Sequence, residues 1–200
     1  MTKHIQLIER KTLLDRSIFR VEEAKFRQEL PNGEWSDEIV RLHLERGDSA
    51  AAIIHNTTNN TLVMVEQFRY PTFEKGPGWT LELPAGIIDS KMGESPEMSM
   101  RRELIEEIGY NVKELKLIHT FYPSPGGSSE KIFLYYTQTS EKSRVSKGGG
   151  ISSDGEYIRV IDLPVKDAFQ KADNLEIIDA KTIIGLQWLK ILQLTKDTTY

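Results

Sequence analysis

The stretch MRRELIEEIGY, residues 100–110, carries three glutamates within one short segment whose spacing predicts a helix. Residues three and four apart share a helical face, so Glu103, Glu106 and Glu107 form one acidic face. Like charges at that spacing repel each other by about 0.2–0.5 kcal/mol per pair. Two explanations fit this pattern: a solvated acidic surface, or a bound cation that offsets the repulsion.

The apolar residues of the same segment show where the glutamates lie relative to the core. Met100, Leu104 and Ile108 form a stripe that must face a core. At 100° per residue the glutamates span an arc of about 100° next to this stripe, at the buried edge of the helix. Carboxylate oxygens are the ligands that hard cations such as Mg²⁺ prefer. Geometry alone leaves both a metal site and a solvated face open.

Start and stop signals bound this helix, and predicted strands surround it. Ser95 can cap the helix, Pro96 suits its first turn, and Gly109 tolerates the left-handed conformation that ends it. The predicted strands are IFRVEEAKF (18–26), EIVRLHLE (38–45), SAAAIIH (49–55), TLVMVEQF (61–68), WTLELP (79–84), KLIHTFY (116–122), KIFLYYTQ (131–138) and YIRVIDL (157–163). A strongly apolar closing helix over about 180–194 packs on the core. This order predicts an α/β fold with a mixed sheet between helices.

Composition excludes several classes of protein. A length of 200 residues suits one sizeable domain or a domain with a smaller appended unit. The net charge of −4 argues against a broad electrostatic grip on nucleic acid. The absence of cysteine excludes disulfides, thiolate zinc sites and a cysteine nucleophile, and it fits a reducing cytoplasm. No signal peptide or apolar run of about 20 residues is present, so we expect a cytoplasmic protein without a membrane partner.

The N-terminal strands differ from the rest of the chain. They carry many charges around the turn Pro31-Asn32-Gly33 and are too polar to close a core of their own. We therefore predict two parts, residues 1–48 and residues 49–200, and expect the first to lean on a second subunit. A further segment, SKGGG (146–150), is interpreted as a mobile loop.

A longer motif surrounds the acidic helix. The run from Gly86 to Tyr110, G-x7-E-x7-R-E-L-x-E-E-x-G-Y, resembles the Nudix signature, G-x5-E-x7-R-E-U-x-E-E-x-G-U with U aliphatic or aromatic. Every fixed residue from Glu94 to Gly109 is present, while the loop before Glu94 is two residues longer. VEQFRYP (65–71), LELPAG (81–86), SPGGSSE (124–130) and DGEYIRVIDLP (154–164) are similar to segments of pyrophosphatases for ADP-ribose and related nucleotide sugars. The strands around LERGD (44–48) resemble the small dimerisation domain of that branch.

The resemblance implies a fold and an activity. The fold would be a Nudix α/β/α sandwich with a mixed sheet, plus a small N-terminal β-strand unit that forms a homodimer and helps bind substrate. The activity would be Mg²⁺-dependent hydrolysis of a nucleotide-sugar diphosphate, with ADP-ribose split into AMP and ribose 5-phosphate as the first expectation. GDP-mannose and UDP-glucose pyrophosphatases share much of the pattern, so the sugar stays open. A Nudix module that senses a nucleotide sugar without cutting it would be expected to lose signature glutamates, and none is lost here.

The resemblance also implies a metal site. Glu103, Glu106 and Glu107 would hold Mg²⁺, with Mn²⁺ as a possible substitute and the Ala85 carbonyl as a further ligand. Arg102 would pair with a signature carboxylate and orient it, although a surface salt bridge would look the same in the sequence. Glu94 either helps to organise the site or is an ordinary acid at a helix start.

The general base and the substrate contacts lie outside the signature. The resemblance places the base in the loop Asp154-Gly155-Glu156, although an ordinary turn would have the same sequence. Glu156 would be the base or a further metal ligand, because its side chain is longer than that of Asp154 and its attachment to the strand YIRV would hold it more firmly. Arg69 would contact a phosphate or ribose, and Glu130 the terminal ribose or the metal site. Phe19 and Arg41 would hold the nucleobase, often from the partner subunit, unless they only pack within the hairpin.

Overall fold

The computed structural model describes residues 4–151, 153 and 155–197, which divide into two compact units. One unit contains the chain up to Asp48 together with Tyr122–Lys131. The other contains Ser49–Phe121 and the chain from Ile132 onward. The predicted boundary after residue 48 coincides with the end of the first part of this unit. The sequence does not predict that Tyr122–Lys131 also belongs to it, because the chain before and after this segment belongs to the second unit.

The first unit is a three-stranded antiparallel sheet in the order β1-β2-β3. Its strands are β1 Ile5–Arg16, β2 Phe19–Gln28 and β3 Ile39–Glu45. Tyr122–Lys131 lies along β3, where the Leu44 amide donates to the Gly127 carbonyl at 2.8 Å. The sequence analysis did not predict β1, because two register shifts interrupt the alternation of its side chains.

The second unit is a seven-stranded mixed sheet with helices on both faces, as predicted for an α/β fold. Its strands are β4 Ser49–Asn56, β5 Thr61–Phe68, β6 Trp79–Glu82, β7 Ala85–Ile87, β8 Lys116–Phe121, β9 Ile132–Thr139 and β10 Arg159–Pro164. The order is β10-β5-β4-β9-β8, with β6 beside β5 and β7 beside β4. Only the described pair β4–β9 is parallel. The helices are α1 Tyr70–Phe73, α2 Pro96–Ile108, α3 Val165–Asp173 and α4 Ala180–Asp197.

Alternate residues of the central strands build two separate cores. On β4, Ala51 and Ile53 pack with α3 and α4, whereas Ala52 and Ile54 pack with α2. Because successive side chains of a strand point to opposite faces, a strand buried on both faces has a continuous apolar sequence. The run SAAAIIH reflects this double burial, and every residue of β4 is buried.

The caps of α2 match the prediction. The Ser95 hydroxyl accepts a hydrogen bond from the Met98 amide at 3.2 Å, and Gly109 has the left-handed φ of 75°. Helix α3 was missed, because it begins directly after β10 with no turn residues between them. No helix in the described part of the chain combines the length and apolar character that a membrane crossing requires.

Candidate active site

The acidic face of α2 lies at the edge of a core, as the helical arc predicted. Met100, Leu104 and Ile108 are fully buried, and they anchor the helix against the sheet. Glu103 and Glu107 are only 9% and 4% exposed. A solvated acidic surface therefore does not explain these two glutamates, because solvent hardly reaches them.

The two buried carboxylates repel each other. Burial, followed by the charge of Glu103, raises the pKa of Glu107 to about 8, although the amide of Ala85 donates to its Oε2 at 3.0 Å. Burial also raises the pKa of Glu103. The charge of Glu156 pushes both pKa values in the same direction, so a third carboxylate acts on the site. A cation among these groups would relieve the repulsion.

Arg102 links the carboxylates of the signature. Its Nη1 donates to Glu103 Oε1 at 2.8 Å and to Glu106 Oε2 at 2.9 Å. Its Nε donates to Glu94 Oε1 at 3.0 Å, and this bond lowers the pKa of Glu94. The guanidinium thus joins the start of the signature to two of its glutamates, and its orienting role in the reaction stays a prediction.

The longer loop before Glu94 leaves this residue in contact with Arg102. The extra length folds into a short 3₁₀ turn at Ser90–Met92, whose amides at Lys91 and Met92 donate to the Asp89 carboxylate. The Glu94 amide donates to the Asp89 carbonyl at 3.2 Å, and the Asp89 amide donates to Glu94 Oε2 at 3.1 Å. These bonds close the turn, and both carboxylate oxygens of Glu94 accept from Arg102, Oε1 from Nε at 3.0 Å and Oε2 from Nη2 at 3.3 Å.

The donors at this site suit a divalent cation. All are oxygen atoms, which hard cations prefer. Gly86 leaves room for one of them: a Cβ at this position would lie 1.9 Å from Cδ of Glu103. Glu103 and Glu106 are turned towards Arg102, and within the described ranges no three acidic or histidine side chains are already gathered into a metal cage. Binding a cation therefore requires these carboxylates to exchange part of their contact with Arg102.

The glycines of SKGGG lie against the end of α2. The Gly149 amide donates to the Glu107 carbonyl at 2.8 Å, and the Gly150 amide donates to the Glu106 carbonyl at 3.2 Å. A Cβ on Gly148 would lie 2.4 Å from the Glu107 carbonyl oxygen, and all three glycines have positive φ. The composition of this segment is typical of a mobile loop and does not indicate these contacts with the signature helix.

The charge of the predicted base, Glu156, acts on Glu103 and Glu107, but this residue does not stand directly before a strand as predicted. Strand β10 begins at Arg159, so Glu156 is not attached directly to a strand. Instead, its amide donates to the Ile151 carbonyl and its Oε2 accepts from the Ile151 amide, both at 3.3 Å. Asp154, the other candidate base, lies outside the described residues.

An open cleft of about 660 Å³ adjoins the loop that carries Glu156. Its lining residues combine exposed aromatic side chains with an ion pair; they are Glu66, Trp79, Gly149, Tyr157, Ile158 and Arg159. Arg159 Nη2 lies 2.8 Å from Glu66 Oε2. The sequence does not predict any of these residues as site residues, because isolated aromatic and charged residues form no recognisable motif.

Arg69 is held by a buried partner that the sequence analysis missed. Its Nε and Nη2 donate to the two carboxylate oxygens of Glu82 at 3.0 and 2.8 Å. Lys181, on α4, donates to the same carboxylate at 2.7 Å. The available signal was a charged residue inside the apolar strand WTLELP, since a buried charge requires a partner.

The candidates of the first unit do not form one cluster within a single chain. Arg41 pairs with Ala24 across the β2–β3 ladder, and directly paired residues point to the same face. Phe19, five residues from Ala24 on β2, points to the opposite face and lies about 16 Å away along the strand. Glu130 is buried, with its Oε2 3.5 Å from Nη1 of Arg46.

Similarities with known proteins agree with this geometry. A family model described as "NUDIX domain" matches residues 45–186. A GDP-mannose pyrophosphatase of Salmonella arizonae is 35% identical over 199 residues, which cover 97% of this chain and 99% of that protein. Proteins of the same name from Salmonella typhimurium and Escherichia coli (strain K12) are 35% and 34% identical over 195 residues, covering 95% of this chain and 97% of each relative.

Proposed function

Because the chain belongs to the Nudix family of hydrolases, we propose that it splits GDP-mannose with water into GMP and mannose 1-phosphate. The observation that carries this substrate is the similarity to GDP-mannose pyrophosphatases along nearly the whole chain. The coarser activity, hydrolysis of a nucleotide-sugar diphosphate, follows from the family and these relatives together. The intact and partly buried glutamates of α2 favour catalysis over a module that only senses its ligand.

A panel of nucleotide sugars tests the substrate. Purified protein with Mg²⁺ is assayed on GDP-mannose, ADP-ribose and UDP-glucose, and kcat/KM is measured with phosphate-coupled detection. We expect the highest value for GDP-mannose. ADP-ribose, the first expectation from the sequence, stays a prediction, and a higher kcat/KM for it would replace GDP-mannose. Tight binding of GDP-mannose without turnover would instead indicate a sensing module.

The proposed cation is Mg²⁺, with Mn²⁺ as a substitute, because Nudix hydrolases generally use divalent metal ions. The ligands would be Glu103, Glu106, Glu107 and the Ala85 carbonyl, since all of them offer oxygen donors. The raised pKa values of Glu103 and Glu107 show that the groups around this buried pair do not fully neutralise its charge. When bound, Mg²⁺ supplies positive charge for the phosphoryl oxygens and acidifies water.

The protein's own groups would complete the reaction. Glu156 takes the proton of the attacking water onto a carboxylate oxygen, because its charge already acts on the acidic site. Arg102 keeps the signature carboxylates in one orientation through its bonds to Glu94, Glu103 and Glu106. The water oxygen bonds to one phosphorus while the bond from that phosphorus to the bridging oxygen breaks, which gives GMP and mannose 1-phosphate.

Removal of the metal should abolish activity. Exhaustive EDTA treatment followed by assay on GDP-mannose is expected to give no turnover, and added Mg²⁺ should restore it. Glu107→Gln should keep the fold, because the amide preserves the shape of the side chain, and should lower kcat by orders of magnitude. Full activity of a metal-free preparation, verified by mass spectrometry, would contradict the metal requirement.

We also propose that the protein is a homodimer whose interface uses the first unit. All residues of β1 are exposed, which is unusual for a strand that carries so many apolar side chains. The exposed large apolar residues of this unit are Ile5, Leu7, Ile8, Leu13, Leu14, Ile18, Phe19, Trp35, Val40, Leu42 and Tyr122. Phe19 and Arg41 point to opposite faces of one sheet, so a nucleobase held by both would need one residue from each subunit.

A further inference from the structure

A buried ion-pair cluster in the second unit has no role in the reaction outlined above. Its centre is the carboxylate of Glu82 on β6, which is 3% exposed. The carboxylate accepts two hydrogen bonds from Arg69, at 3.0 and 2.8 Å, and one from Nζ of Lys181 at 2.7 Å. The hydroxyl of Thr80 donates to it as well. One anion thus joins the end of β5 to the first turn of α4.

Lys181 is itself fixed from the helix side. It is 9% exposed, and its Nζ lies 3.0 Å from Oδ1 of Asp179. The other oxygen of Asp179 accepts from the Thr182 hydroxyl at 2.6 Å and from the Thr182 amide at 3.0 Å. The same hydroxyl accepts from the Leu83 amide at 2.9 Å. The start of α4 is therefore bonded both to Glu82 and to the residue that follows it.

The cluster keeps Glu82 ionised in spite of its burial. Burial alone would raise the pKa of this carboxyl, but the hydrogen bonds from Arg69 and the charge of Lys181 outweigh it and lower the pKa to about 2. A buried pair that loses one partner leaves a charge without compensation. Lys181 therefore helps to hold Glu82 in place, and Glu82 in turn holds Arg69.

Arg69 retains a free donor next to the acidic site. Glu82 uses its Nε and Nη2, and Nη1 has no hydrogen-bond partner among the residues that the structure describes. The side chain is 40% exposed, and its charge acts on Glu107. A guanidinium with one edge fixed and another N–H open is well suited to bind a phosphoryl oxygen.

We propose that Lys181 is a positioning residue for the substrate diphosphate. Through Glu82 it fixes the guanidinium of Arg69, so that Nη1 donates to a phosphoryl oxygen. This inference rests on the proposed function, because it requires a diphosphate beside the acidic helix. It assigns a role in binding to a lysine on a helix whose sequence indicates only core packing.

A double-mutant cycle tests this role. Lys181→Met, Arg69→Ala and the double variant are compared in KM and kcat for GDP-mannose, and in Kd for methylenediphosphonate with Mg²⁺ by calorimetry. Lys181→Met should raise KM and Kd about tenfold, with a much smaller change in kcat. In the Arg69→Ala background it should have almost no further effect, because Lys181 acts through Arg69. Lys181→Arg should recover most of the binding.

A matched control is available on the same helix. Lys190 forms an exposed ion pair with Asp173 at 3.0 Å, so Lys190→Met should leave KM and Kd unchanged. Additive effects of Lys181→Met and Arg69→Ala would overturn the proposal, as would an unchanged Kd in a folded Lys181→Met variant. If Lys181→Met does not fold, Glu82→Gln tests the same coupling. If the variants show this non-additive effect on the Kd of the diphosphonate but the wild-type protein does not hydrolyse GDP-mannose, only the proposed function is refuted.

Discussion

Glu156 is the residue to which we assign the proton transfer. Its two hydrogen bonds to Ile151 hold it near the acidic site, and a well-placed base contributes roughly 10²–10⁴-fold in rate. We therefore expect Glu156→Gln to lower kcat on the order of a hundredfold or more, and Asp154→Asn to lower it distinctly less. Steady-state kinetics with GDP-mannose over a range of pH measures both variants.

The shape of the pH profile separates a base from a metal ligand. If Glu156 is the base, its glutamine variant should lose the acidic limb of the profile. If Asp154→Asn is the more damaging change, the two assignments are reversed. If neither variant changes kcat, Glu130 is the next candidate for the base.

Glu82 should make stability depend on acidic pH. Its pKa of about 2 in the folded protein lies below the ordinary 4.5, so the folded state binds this proton less tightly than the unfolded chain. The corresponding stability, on the order of 3 kcal/mol, is present above pH 4.5 and is lost as the pH falls towards 2. We therefore expect the difference in unfolding free energy between wild type and Glu82→Gln, measured by urea unfolding, to be smaller at pH 3 than at pH 6. A constant difference in unfolding free energy would contradict this.

At the scale of elements, a substitution at the contact between β7 and α2 should affect activity much more than stability. Gly86 does not have a positive φ, and the three atoms nearest to a Cβ there belong to the side chain of Glu103 and not to the backbone. We expect Gly86→Ala to move this carboxylate, to lower activity at least tenfold and to change the unfolding free energy by less than about 1 kcal/mol. Activity assays and denaturant unfolding measure the two quantities.

Gly109 provides the matched comparison at the end of the same helix. Its φ is 75°, and an added Cβ would lie 2.2 Å from the backbone oxygen of Ser146, which cannot move aside cheaply. Gly109→Ala should therefore destabilise the fold by about 1 kcal/mol or more. A Gly86→Ala variant that is as unstable as Gly109→Ala, or fully active, would show that Glu103 does not need the space at Gly86.

At the scale of the whole molecule, we expect a dimer. Light scattering at micromolar concentration should give twice the mass of the 22.9 kDa chain. Leu14→Asp, on the exposed β1, should shift the protein to a monomer, because it places a charge in the proposed apolar interface. Ile191→Asp, at a somewhat more exposed site on α4, is the control that should stay dimeric. A monomeric wild type would refute the proposal.

The sequence predicted the second unit better than the first. Six of the seven strands of the mixed sheet, all except β7, and the caps of α2 follow from local patterns that the structure repeats, such as the continuous apolar run of β4 and the left-handed Gly109. Strand β1 and the excursion Tyr122–Lys131 were missed. Bulges interrupt the alternation in β1, and the excursion pairs with β3 through backbone bonds that carry no side-chain signal.

The sequence by itself determined the helix, its acidic face and the family, because these depend on residues close together in the chain. Only the tertiary structure decided how far Glu107 is buried and which groups hold Arg69. Glu82 and Lys181 are 99 residues apart in sequence. No periodicity or spacing connects residues at that distance. The pairing follows from the packing of α4 against the sheet, where burial makes an unpaired charge too costly to leave.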